Sequence, residues 1–242
     1  AQVEITGSQA RAIADNAEGW ITGVLLVVDL LRSDAESTFL SAERATSQTY
    51  GYLASEGLER QPPDVRRFLH ASSVLREMSV RLCREVLGLE GTDSLLGEVE
   101  RRNLFLTRFG EDTRSTYRYH KLFRDFLQKR LQQMERDYHD DLHRRAGTWF
   151  EKRHDVEEAV YHYLEAGAYP RATTLMDRVA LEWFTRGRVE ALRRWAVALP
   201  EEIKPQAPRL ALYHSKLLTD RYEFDAARET LAHAEAGLTA RE

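Results

Sequence analysis

Apolar positions change their spacing several times along the chain, and each change predicts an element. Ala10, Ile13, Ala14 and Ala17 recur on one helical face, with Ser8 placed to cap it. Asn16-Ala17-Glu18-Gly19 predicts a break. Trp20 to Leu31 is apolar nearly all round, which predicts a helix buried between neighbours. Residues 36–56 continue helical and end on Tyr50, Tyr52 and Leu53. Gln61-Pro62-Pro63 stops the chain, and Pro63 suits the first turn of a helix carrying Phe68, Leu69, Ser72 and Leu75. Ser79 opens the next helix over Leu82, Cys83 and Val86, and Gly88 closes it. Thr92 or Asp93 opens a third, burying Leu95, Leu96 and Val99.

The period then shortens to two. Leu104-Phe105-Leu106-Thr107 predicts a strand, Gly110-Glu111-Asp112 a turn, and Thr116 to Tyr119 the return strand. Tyr117 and Tyr119 fall on one side of that strand and Arg118 on the other. Helical spacing resumes at once with Leu122, Phe126 and Leu127, widened by Phe123 and Leu131. His120 therefore stands where a strand becomes a helix. A helix start offers unpaired N–H groups and a positive dipole end, which suits an anion. A helix-capping or core-packing role for His120 is open at this point. Three short helices, a two-stranded hairpin and a further helix make a winged-helix pattern.

From about residue 137 the pattern is purely helical. Leu142, Ala146, Trp149 and Phe150 mark one helix, and Val156, Ala159, Val160 and Tyr163 the next, ended by Gly167. Ala172, Leu175, Met176 and Val179 follow, then Leu181 to Phe184 with a stop at Gly187. Val189 to Leu199 is closed by Pro200, and Leu210 to Leu217 and Phe224 to Ala234 give two more helices. Short gaps between such helices predict stacked helical hairpins, a TPR-like α-solenoid. Ala159, Ala172 and Ala227 each place a small residue early in a helix, although the full tetratricopeptide signature is absent. The fold class is therefore mainly α, a winged helix with a small β-hairpin followed by an α-solenoid. Phe224, Ala227 and Leu231 form an apolar stripe that a following repeat would cover.

Composition narrows the function. Hydrophobic residues make up 43% and charged residues 31%, a globular balance. Net charge is −4, with a pI of about 6.1, which argues against a dedicated nucleic-acid surface. Cys83 is the single cysteine, so neither an intrachain disulfide nor a cysteine-rich zinc site can form. The run from Trp20 to Leu31 is too short to span a membrane and contains Asp29. No signal peptide is evident, and a cytoplasmic location is expected. The chain begins at Ala1 with no methionine, and we expect it to be a piece of a longer protein.

The chemistry of most catalytic motifs is missing. No phosphate-cradling glycine loop and no His-Glu-x-x-His occurs. No Ser-His-Asp set can be assembled, and no catalytic residue is expected. His139 and His143 stand at i, i+4 beside Asp140 and Asp141, but they lack a third partner at metal spacing, so a solvated, charged helix start is expected there and no metal. The candidate recognition helix, Thr92 to Asn103, mixes Asp93, Glu98 and Glu100 with Arg101 and Arg102, and the turn after it is acidic. That surface is poorly charged for DNA. A winged-helix DNA-binding protein with a helical dimerisation region is the competing reading.

The run from Tyr52 to Leu131 resembles the winged-helix part of the MalT-like, LuxR-type large ATP-binding regulators of the STAND class of ATPases. The matching stretches include Leu58 to Leu69, Ser72 to Leu75, Leu95 to Leu106, Tyr117 to Phe123 and, further on, Leu142 to Phe150. Glu18-Gly19-Trp20 with its apolar helix looks like the end of the family's helical lid, which makes Gly19 and Trp20 possible lid contacts. The resemblance implies residues 1–44 as the end of that lid, 45–136 as a winged helix, 137–204 as a helical arm and 205–242 as the first hairpin of a TPR-like sensor. It implies ATP or ADP with Mg bound to a domain outside this chain, with no cofactor in the chain itself. DNA would be read only by a C-terminal domain that is also outside it. Partners implied are the protein's own ATP-binding domain, further copies of itself, and an inducer or protein at the solenoid. Tyr119-His120-Lys121 aligns with the family's Met-His-Asp motif, whose histidine touches the β-phosphate of ADP. Tyr119 replaces Met and Lys121 replaces Asp, so the histidine role carries over better than the rest.

Overall fold

The computed structural model describes residues 58–102, 105–110 and 115–239. The expected helices before residue 58, with Gly19 and Trp20, and the turn residues Glu111 and Asp112 lie outside the described residues. The chain divides into two compact units, Ala1–His139 and Asp140–Glu242.

In the first unit, α1 (Pro63–Ser72) starts with Pro63 in its first turn, where a missing N–H costs no hydrogen bond. The side chain of Ser79 caps α2 (Val80–Leu87) by accepting from the Leu82 N–H, and Gly88 ends that helix at φ 64°. A third helix, α3 (Thr92–Arg101), buries Leu96 and Val99, while Leu95 stays half-buried. The hairpin strands β1 (Leu106–Phe109) and β2 (Thr116–Tyr119) are antiparallel, with Leu106 opposite Tyr119. Met78 and Tyr117 exchange both backbone hydrogen bonds at 2.7 Å and extend the sheet by one bridge.

The first strand begins later than its apolar pattern suggests. Phe105 takes a positive φ of 52° and turns the chain instead of extending it. Its ring lies 4.7 Å from that of Phe123, so the side chain that looked like a strand residue is a core contact of the turn. Tyr117 and Tyr119 face the core, as the alternation predicts, and Arg118 points out to pair with Glu77. The last helix of this unit, α4 (Lys121–Met134), buries Phe123, Leu127 and Leu131 along one seam, with Leu122 and Phe126 half-buried beside it. Ser72 Oγ and Tyr119 OH share a buried hydrogen bond of 2.8 Å, which ties the end of α1 to the end of β2.

The second unit is built from helices: the part of α5 (Arg136–Glu151) from Asp140 on, α6 (Val156–Glu165), α7 (Tyr169–Thr185), α8 (Val189–Ala198), α9 (Pro208–Asp220) and α10 (Phe224–Thr239). A 3-10 turn, Lys204–Gln206, leads into α9. Leu181 to Phe184 continues α7 and is not a separate element. One core runs through these helices, from Tyr163 and Met176 to Trp183, Leu192, Trp195 and Leu210.

The turns between hairpin helices repeat one backbone device. His154, Gly167, Gly187 and Tyr222 all sit at φ between 61° and 74°. The residue after each donates its N–H back into the preceding helix: Asp155 to Phe150, Ala168 to Tyr163, Arg188 to Trp183 and Glu223 to Leu218, at 2.8–3.1 Å. This is the Schellman ending, which satisfies carbonyls the helix would otherwise leave open. Ala159, Ala172 and Ala227 each lie five residues past such a turn and are buried, so the helices approach closely there.

Two further contacts set the stack. Asp177 on α7 is buried, and its Oδ1 accepts the Arg209 N–H at 2.6 Å and the Leu210 N–H at 3.4 Å. A carboxylate from one helix thus caps the start of another, whose own N-cap, Ala207, has no side chain to do so. Gly147 on α5 packs directly on the buried Tyr163 ring of α6. At the far end the expected stripe is corrected. Ala227 faces inward with Ala234 and Gly237, against α9 and the 3-10 turn, and the outward row of α10 is Phe224, Leu231 and Leu238.

Candidate functional site

His120 is the N-cap residue of α4, at φ −53° and ψ 135°, directly after β2. Its backbone is fixed from both sides. The His120 N–H donates to Phe105 O at 2.9 Å, and the Arg124 N–H donates to His120 O at 3.0 Å. Its imidazole makes no capping bond to the helix and is half-buried. So His120 occupies the N-cap position through its backbone, and the side chain does no capping. The first turn of α4 carries Lys121 and no acidic residue. Arg124, one turn along on the same face, is half-buried, and its Nε is buried with no hydrogen-bond partner. Among the described residues Asp125 pairs with both cations, 3.4 Å from Arg124 and 3.9 Å from Lys121. A helix dipole, an imidazole and two cations together favour a negatively charged group at this junction. Arg124 is absent from the sequence-level candidates, yet its i+4 spacing from His120 was the available signal.

The histidine cluster on α5 differs from expectation. His139 and His143 are buried, not part of a solvated helix start. His143 Nδ1 lies 3.0 Å from Nδ1 of His162 on α6, and Phe150 stacks on the His162 ring at 5.4 Å. The pair is one hydrogen bond between two imidazoles inside a helix contact. His162 could not be paired with His143 by spacing, because the two lie on different helices. Among the described residues no group of three or more metal-ligating side chains converges.

The charges of α3 are consumed locally. Glu98 receives Arg102 Nε at 2.5 Å and also pairs with Arg101. The Arg102 hydrogen bond, helped by Arg101, holds the Glu98 carboxyl below the usual carboxylate range. Asp93 pairs with Arg84 at 2.5 Å, and Glu100 with Arg108 at 3.6 Å. With Asp93, Glu98 and Glu100 against Arg101 and Arg102, this helix has no positive excess to offer a phosphate backbone.

The family described as MalT winged helix domain matches residues 54–139. That range takes in α1 to α4 and His120. The chain is also 30% identical over 235 residues to the HTH-type transcriptional regulator MalT of Cronobacter sakazakii. The similarity covers 96% of this chain and 26% of that regulator, so the chain spans about a quarter of the relative's length. Among the described residues no helix is long and apolar enough to cross a membrane. Residues 54–139 belong to the MalT winged helix domain family, and the chain is similar along almost all of its length to a stretch of a MalT-type transcriptional regulator.

Proposed function

We propose that this chain is a regulatory, non-catalytic segment of a MalT-like, cytoplasmic STAND ATPase transcriptional regulator. The winged helix holds the ADP-bound closed state, and the helical stack relays the binding of an inducer or a protein partner. The complete protein self-associates in its open state, and a LuxR-type domain outside this chain reads DNA. The observation that carries this reading is the placement of His120. Its backbone is pinned between Phe105 and Arg124 at the start of α4, and its side chain makes no capping bond there.

The residues at the junction fit a phosphate edge. When bound to the nucleotide domain, ADP with Mg supplies the charged diphosphate that distinguishes the closed state. His120 donates a hydrogen bond to it, and Lys121 and Arg124 add positive charge. A hydrogen bond to a charged group contributes about 1.5–3 kcal/mol, so its loss weakens ADP retention roughly ten- to a hundred-fold. The closed state loses the same differential stabilisation. The test uses the complete regulator, wild type and His120→Ala, measuring co-purifying ADP and inducer-free oligomerisation. Less ADP and partial activity without inducer are expected. Equal ADP retention and equal inducer dependence would reduce His120 to a packing residue. In the present chain alone, His120→Ala should barely change the unfolding midpoint.

A further inference from the structure

A cavity of about 280 Å³ opens between α8, α9 and α10 of the second unit. A smaller hollow of about 10 Å³ adjoins it and is walled by core residues such as Leu199 and Leu210. Lys204, His214, Thr230 and His233 line both, so these four form the inner end. The carboxylates Glu201, Glu223 and Glu229 line the larger cavity only.

Charge is therefore sorted by depth. The inner groups Lys204 and His233 are 24% and 22% exposed, whereas Glu201 at the rim is 68% exposed. The inner end presents an ammonium, two imidazoles and a hydroxyl, and the one carboxylate paired with them in the structure's ion pairs, Glu201, reaches in from the rim. Nδ1 of His233 is buried without a hydrogen-bond partner, and its Nε2 lies 3.8 Å from Glu201. Around His214 the cations prevail. Burial lowers its proton affinity first, Lys204 and Arg193 push the same way, and Glu223 alone opposes them. Fixed donors at the bottom of a concave site orient an anion, and the mixed-charge rim accommodates the rest of a small polar molecule.

We propose that this cavity binds a small organic anion, with its carboxylate or phosphate seated on Lys204, His214, Thr230 and His233. The volume matches a compact metabolite and is too small for a folded partner. Glu201 pairs with Lys204 and acts as the resident counter-ion that the ligand displaces. The proposal deepens the reading of the helical stack as a relay and rests on it only for the consequence in the complete regulator. Binding to this chain stands by itself.

The experiment is calorimetric titration of the full chain with citrate and with inorganic sulfate, which separates carboxylate from phosphate-like recognition. Saturable binding of at least one probe is expected, with a dissociation constant of about 1 mM or tighter. Lys204→Met should weaken it roughly ten-fold or more, and Glu201→Gln should tighten it by freeing Lys204. Sulfate keeps its charge down to pH 5, so its affinity should rise as the pH falls below His214's ordinary value of 6.5 and that imidazole takes up a proton. Should Lys204→Met fail to fold, the sign of the Glu201→Gln effect decides. No saturable binding of either probe, or binding indifferent to Lys204 and Glu201, would overturn the proposal. Binding that occurs without any effect on inducer response in the complete regulator would remove the relay reading and leave the site.

Discussion

Gly147→Ala should destabilise the helical unit even though alanine is the better helix former. A Cβ at this position would lie 2.7 Å from Cε1 and 2.8 Å from Cδ1 of Tyr163, about 1 Å inside ordinary carbon contact. The ring cannot simply swing away, because Tyr163 is 1% exposed and its hydroxyl donates to Glu151 Oε2 at 2.7 Å. Overpacking a core of this kind costs about 1–3 kcal/mol. Pulling the hydroxyl from Glu151 adds about 1 kcal/mol. Removing a helix-interior glycine returns about 1 kcal/mol. The net loss is about 1–3 kcal/mol. Gly97 in α3 is the control: a Cβ there meets nothing within 4 Å, so Gly97→Ala should gain up to about 1 kcal/mol. Urea unfolding followed by tryptophan fluorescence is suited to the first variant, since Trp149, Trp183 and Trp195 lie in the second unit, and circular dichroism follows the second. Combining Gly147→Ala with Tyr163→Phe should recover part of the loss by untethering the ring. Wild-type or greater stability of Gly147→Ala would refute the close-contact account.

Tyr222 is 81% exposed and held at φ 64°, so Tyr222→Gly should raise the unfolding midpoint, by about 0.5–1 kcal/mol in stability. Asp177→Ala removes the cap from Arg209 and Leu210 and should cost about 1–3 kcal/mol in the same assay, while Asp177→Asn, which keeps an accepting oxygen, should cost less. Burial holds His70 below its ordinary value of 6.5, partly offset by a hydrogen bond with the Leu127 backbone. The unfolded chain therefore binds that proton more tightly, so stability of the first unit is full above about pH 6.5 and declines as pH falls below it. His70→Gln should flatten that decline in urea midpoints measured between pH 7 and 5.

The sequence is most legible where local chemistry and packing agree. The switch from alternation to helical spacing at Tyr119 and Leu122 places His120 correctly, because β2 and α4 each bury one face of a single core. Ser79, Gly88 and Pro63 mark helix ends through bonds made within a few residues. Legibility fails where the deciding partner is distant. Phe105 looks like a strand residue until Phe123 accepts its ring, and the chain then turns. His143 looks solvated until α6 brings His162 against it. His154 and Tyr222 lack the glycine that signals a left-handed turn, so only their matching hydrogen bonds reveal the repeated device. Phe224 and Ala227 lie three positions apart, close enough to pass for one face, yet only Ala227 packs inward.

The carboxylate of Asp177 has a consequence for how motion spreads through the helices. Most neighbours in a helical stack touch through apolar side chains, which tolerate sliding because such contacts have no direction. The bonds from Asp177 to Arg209 and Leu210 do have direction, and they weaken steeply with misalignment. Rotating α9 about its axis would break them before it broke the greasy contacts beside them. The joint should therefore resist small rotations of α9 against α7 more stiffly than the apolar contacts beside it. Amide exchange at Arg209 and Leu210 should accordingly follow the opening of α7 rather than the fraying of α9.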